Sequence, residues 1–208
     1  LAELGDDGVE TRRTVLASTR LSLLAAAPLC LLLGLFAGPL IRLWVGPGFA
    51  SAATVVALLG AAEAIGAAAK PLASVAAGRG RVKPSALANL GEAVLNVSLS
   101  IVLGARIGVA GVALATLVAR VVFQLGVYLP YTLRELGLPL HRFATETVWP
   151  VAVPTLAAGA TGLALSQVLD GLAAVAVGGG ATAVVFGVGV DRFTLTEEER
   201  AWIRAHRR

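Results

Sequence analysis

Cysteine is nearly absent from this sequence: Cys30 is the only one in 208 residues, so no intrachain disulfide can form and the redox compartment cannot be read from it. Its place inside an apolar run makes it packing material rather than a reactive thiol. Histidine is almost as scarce, and His141 and His206 lie in polar segments, so no Cys/His spacing suited to a metal is available. No Walker A loop, HExxH or GxSxG motif occurs, which leaves ATP hydrolysis, zinc proteolysis and serine hydrolysis without a chemical basis. The sequence calls for no metal and no cofactor, and it is not expected to be an enzyme. Methionine is missing altogether, so Leu1 is read as an internal position and the chain as the C-terminal piece of a longer protein.

Charge is scarce too. Only 14% of residues are charged and 57% are hydrophobic, a balance no water-soluble domain of this length would hold. The net charge of +4 does not point to nucleic acid, because the basic residues flank apolar runs instead of sharing one soluble face.

What the sequence has in quantity is long apolar runs, six of them, spanning about 21–41, 49–77, 85–103, 107–129, 147–169 and 172–190. The first, Leu21 to Ile41, reaches about 30 Å at ~1.5 Å per residue and crosses a hydrocarbon core. It is too long for a signal peptide, and five more runs follow. The expected fold is therefore all-α, a polytopic bundle of six transmembrane helices. Residues 1–20 precede the bundle as a cytoplasmic segment, Tyr131 to Glu146 form a polar loop, and 191–208 form a cytoplasmic tail whose Thr196-Glu197-Glu198-Glu199 has capping-box spacing for a short helix.

Counting Lys and Arg on alternate sides orients the bundle. One side collects Arg12, Arg13, Arg20, Arg79, Arg81, Lys83, Arg134, Arg142, Arg192, Arg200, Arg204, Arg207 and Arg208; the other receives only Arg42 and Arg106. Both termini are thus expected in the cytoplasm.

Two basic residues, Lys70 and Arg120, remain inside the runs, together with Glu63 and Glu92. An ionisable side chain at mid-membrane costs about 2.5–3.5 kcal/mol on insertion scales, so each needs a partner or water. Asn89, Glu92 and Asn96 share one helical face, and Thr116, Arg120 and Gln124 share another. In the hairpin formed about Gly78 to Pro84, Lys70 and Glu92 lie at similar depth and are expected to pair, while Glu63 lies deeper with no obvious counter-ion in its own hairpin. One reading makes this set a structural ion-pair network. The other makes it a hydrated cavity in which Lys70 and Arg120 bind anions and Glu63 serves a proton or cation, with Glu92 a further coupling candidate. Gly34-x-x-x-Gly38 and Gly104-x-x-x-Gly108 offer close helix approach, and Pro28, Pro71, Pro150 and Pro154 offer bends. Asn96-Val97-Ser98 matches a glycosylation sequon but lies in mid-helix, out of a glycan's reach.

The segment Ala27-Pro28-Leu29, then Leu35 to Gly46 with Phe49 shortly after, the Pro71 segment leading into Gly78-Arg79-Gly80-Arg81, the Asn96 helix, and Gly108 to Thr116 resemble, in the same order, the C-terminal half of bacterial polysaccharide flippases. These belong to the multidrug/oligosaccharidyl-lipid/polysaccharide exporter superfamily. The resemblance implies one six-helix lobe of a two-lobe transporter in the inner membrane, moving undecaprenyl-diphosphate-linked glycans by alternating access. It implies as partners the lipid bilayer, the lipid-linked glycan, an N-terminal lobe of the same chain and the glycan polymerisation machinery. In that picture Lys70 and Arg120 attract diphosphate or acidic sugars, and Asn89, Asn96, Thr116 and Gln124 supply hydrogen bonds. The competing readings are a drug/cation antiporter or peptidoglycan-precursor flippase of the same superfamily and, in another class, a scaffold or enzyme subunit. A transporter needs a groove lined by the two polar stripes; a scaffold needs the stripes paired off with no cavity.

Overall fold

A computed structural model describes residues 2–194, with side chains from Gly8 onward. Among the described residues six helices are long and apolar enough to cross a membrane: α1 (Ala2–Trp44), α2 (Ala52–Gly78), α3 (Lys83–Ile107), α4 (Val109–Glu135), α5 (Leu140–Ser166) and α6 (Gly171–Phe193). Among the described residues there is no strand. The chain is an all-α multi-pass membrane protein. The capping-box helix expected at Thr196 lies outside the described residues.

Helical content extends past the apolar runs. Helix α1 has 43 residues, about 65 Å at 1.5 Å each, twice a hydrocarbon core. Its first half, including Arg12 and Arg13, therefore projects beyond the bilayer as a continuous helix. The polar loop expected over Tyr131 to Glu146 shrinks to residues 136–139, because α4 runs on to Glu135 and α5 starts at Leu140. Hydropathy locates only the part of a helix that lipid must accept; polar residues in water carry the same backbone hydrogen bonds onward.

Helix α1 packs along α2, α3 along α4, and α5 along α6, with α2 touching α4 and α1 bridging to α5. The ends rich in Lys and Arg come together. Arg12 Nε donates to Leu136 O (2.6 Å), Arg79 Nη2 donates to Thr11 Oγ1 (2.9 Å), and Arg81 pairs with Glu135. These ties place the start of α1, the α2–α3 turn and the α4–α5 turn at one end of the bundle, here called the basic end. Beneath them Val15, Leu72, Tyr128, Leu133, Leu136, Leu138 and Phe143 form a buried apolar cluster.

The close backbone approaches are not those the paired glycines suggested. Gly34 has open space around it and Gly38 meets only the tip of Arg42, while Gly104 packs on Val112. The tight contact is at Gly111, where any Cβ would run into the carbonyl of Leu103, so α3 and α4 touch backbone to backbone. On the outer face of α3, Leu87, Leu90, Val94, Val97 and Ile101 recur at intervals of three and four residues and are all exposed, a stripe suited to lipid.

Three stretches adopt the wider π-helical turn: Val121–Tyr128, Ala144–Val148 and Ala174–Gly178. In the first two, a proline follows two residues later. Pro130 and Pro150 have no N–H to offer and crowd the carbonyl four residues back. The preceding residue instead reaches five back, Leu129 N to Gln124 O and Trp149 N to Ala144 O.

Candidate functional site

The inner face of α3 is polar. Asn89, Glu92 and Asn96 sit on the side opposite its lipid stripe, and Thr116, Arg120 and Gln124 of α4 face them across the hairpin. Arg120 Nε donates to Glu92 Oε1 at 2.8 Å. Gln124 Nε2 donates to Glu92 Oε2 at 2.6 Å and to Asn89 Oδ1 at 3.2 Å, and Thr116 Oγ1 donates to Asn96 Oδ1 at 3.3 Å. The two stripes thus meet residue by residue, with Ser100 adding a bond to Asn96 Oδ1 at 3.1 Å.

Helix α2 joins from the side. Arg120 Nη1 lies 3.3 Å from Glu63 Oε1, and Lys70 Nζ lies 3.4 Å from Glu63 Oε2. The result is a chain of alternating sign, Lys70, Glu63, Arg120, Glu92, running across three helices and summing to zero charge. Glu63 and Arg120 each lie eleven residues, about 16 Å, from the end of their helix remote from the basic turns, which is near mid-membrane. The guanidinium fits there because Gly66 leaves room for it; a methyl group at Gly66 would collide with Arg120 Nη1.

Two expectations are corrected. Lys70 does not pair with Glu92, because Arg120 arrives from α4 at the same depth and takes that carboxylate with shorter geometry. Nor does Glu63 lack a counter-ion, since it is shared by Lys70 and Arg120. Arg120 is consequently engaged by two carboxylates and is no free anion ligand. Lys70 is different: its side chain is 71% exposed and most of its donors are uncommitted.

Pairing does not fill the space. A groove of about 400 Å³ remains, lined by Lys70, Asn89, Glu92, Asn96, Arg120 and Gln124, with Gly66, Ser85 and Tyr128 completing its wall. Five of the six residues expected to line a cavity are thus brought together; Thr116, bonded to Asn96, is outside the lining, as is Glu63, which pairs with Arg120 and Lys70. The hydrogen-bond accounting gives the groove a direction. Glu92 as a carboxylate only accepts, which fixes Gln124 Nε2 as donor and Asn89 Oδ1 as acceptor, leaving the Asn89 amide N–H groups free to face the groove. With Lys70, they make that end of the groove a donor surface.

Tyr128 and Gly66 are the functional candidates that sequence reasoning missed. The signal for Tyr128 was present, since 116, 120, 124 and 128 continue one four-residue spacing. The π turn over Val121–Tyr128 keeps that spacing on one face where a regular α-helix would drift around the axis.

Comparison with protein-family models, curated proteins and solved structures gave no match; the fold defines the class, a multi-pass membrane protein with a charge-paired groove between its helices.

Proposed function

We propose that the chain is one six-helix lobe of a transporter that flips a lipid-linked oligosaccharide or polysaccharide precursor across the cytoplasmic membrane by alternating access. The observation that carries this reading is the groove: about 400 Å³ of space between α2, α3 and α4, lined by charged and amide side chains among alanines and reaching the middle of an otherwise apolar bundle. Polar side chains are costly at that depth, and a scaffold would gain as much from apolar packing. The free donors of Lys70 and Asn89 suit a ligand rich in oxygen acceptors. In this reading Arg120 acts by positioning Glu63 and Glu92, and Glu63, exposed and paired with the groove residues Arg120 and Lys70, is the coupling candidate. The scaffold reading draws on the pairing of the two stripes. The antiporter reading draws on Glu63.

The test is made in cells lacking the gene, restored with wild type, Lys70→Ala or Asn89→Leu in its native coding context. Export of lipid-linked glycan should stop on deletion, return with wild type, and fail with both variants at normal membrane levels. Both side chains are exposed, and in Asn89→Leu Gln124 keeps its shorter bond to Glu92, so a scaffold held by the paired stripes would tolerate both changes. Surface glycans unchanged by deletion would remove the flippase, and strict dependence of any transport on Glu63 and an ion gradient would favour the antiporter.

A further inference from the structure

Helix α5 carries two prolines four residues apart, Pro150 and Pro154, and the second leaves a backbone carbonyl without its helical partner. Pro154 has no N–H to offer Pro150 O, and its ring crowds that oxygen out of line. Inside a membrane an unpaired carbonyl is costly, and a hydroxyl from a neighbouring helix is one of the few groups that can take over. Thr194 does so from the end of α6: its Oγ1 donates to Pro150 O at 2.6 Å. The Thr194 side chain is 4% exposed and its own N–H donates to Val190 O at 2.9 Å, so the hydroxyl is presented from a fixed place.

The surrounding contacts divide α5 into a pivot, an anchored half and a looser half. At Pro154, α6 comes so close that a Cβ on Gly189 would collide with the Cβ of the proline. Two turns nearer the remote end, Gly162 is seated against Thr182 of α6 and Leu35 of α1 with no room for a Cβ. These contacts hold the remote half of α5. On the other side of the pivot, Ala144–Val148 forms the wide π turn, and just before it Phe143 is buried in the apolar cluster at the basic end. Residues 144–153 thus lie between two interruptions of regular α-helical bonding, the π turn and Pro154, and the bond from Thr194 falls within them.

We infer that residues 144–153 are a movable segment of α5 hinged at Pro154, and that the Thr194 hydroxyl is the latch that holds it in place. When the end of α6 shifts, Pro150 O loses its donor and the segment bends about Pro154, while Phe143 and Gly162 stay seated. The inference uses neither the groove nor the transport reading.

The test is hydrogen–deuterium exchange of the whole chain in lipid nanodiscs, comparing the amides of 145–153 with those of 159–166 in the same helix. Thr194→Val keeps the shape of the side chain and removes its hydroxyl; it should speed exchange over 145–153 by about threefold or more and leave 159–166 unchanged. Thr194→Ser, which keeps the donor, should match wild type. Pro154→Ala keeps the Cβ that meets Gly189 and restores an N–H for Pro150 O, so in that background Thr194→Val should have no effect. No effect of Thr194→Val in the native background, or an equal effect in both, would overturn the latch. Faster exchange over 159–166 as well would mean that α5 loosens as a whole and would overturn the hinge. If Thr194→Val does not accumulate, Pro154→Ala alone decides: by giving the carbonyl a helical partner it should slow exchange over 145–153, and an unchanged rate there would overturn the proposal.

Discussion

Arg120 holds two carboxylates from two different helices, and its own surroundings show which of them matters more for stability. Its side chain and that of Glu92 are 20% and 15% exposed, whereas Glu63 is 58% exposed. Removing the cation leaves Glu92 with Gln124 as its remaining donor and no counter-ion, so Arg120→Gln should destabilise by about 1–3 kcal/mol, less than the loss of a fully buried pair because both side chains line the groove. The double variant Arg120→Gln with Glu92→Gln should recover much of that loss, as measured by thermal inactivation of the detergent-solubilised protein. Lys70→Ala should leave the same curve unmoved, since an exposed pair contributes little. If the single and double variants melt together, Glu92 is stabilised by something other than Arg120. Gly66→Ala offers a finer cut: the added methyl displaces the guanidinium tip from Glu63 while the Nε bond to Glu92 survives, so it should impair transport more than stability. At this scale the sequence exposed the polar set but not its pairing. Spacing within one hairpin gives depth, and a third helix that brings a competing cation is invisible to it.

Among elements, the α3–α4 hairpin is the one that sets the groove, because both polar stripes belong to it. Its tightest point is Gly111 against the Leu103 carbonyl. Backbone cannot step aside as a flexible side chain does, so Gly111→Ala should cost about 1–3 kcal/mol by overpacking and lower the thermal midpoint. Gly34→Ala, with open space around it, should have no effect, and a similar loss from both would show that the hairpin contact is not special. The spans themselves were legible because lipid imposes a long apolar run on any helix that crosses it. The projecting start of α1 and the continuous ends of α4 and α5 were not, since outside the bilayer composition no longer separates helix from loop. The π turns were half legible: Pro130 and Pro150 announce a disturbed helix, but not whether it kinks or widens.

For the whole molecule, the decisive question is which way the basic end faces, because the side on which the groove opens follows from it. The ties among Arg12, Leu136, Arg79, Thr11, Arg81 and Glu135 show that the basic segments share an end; the excess of Lys and Arg there argues that it is cytoplasmic. Exposed positions at each end make the argument testable in the Cys30→Ala background. Lys83→Cys and Leu140→Cys sit beside the basic turns, while Gly48→Cys and Val168→Cys lie at the remote turns. An impermeant maleimide applied to intact cells whose outer barrier has been opened should label the latter two and spare the former until the inner membrane is permeabilised. The opposite pattern would place the basic end, with the Ser85 end of the groove beside it, on the outer side of the membrane. Labelling of Gly48→Cys and Lys83→Cys from the same side would be more damaging, because α2 alone separates them, and it would mean that α2, with Glu63 and Lys70 on it, does not cross the membrane at all.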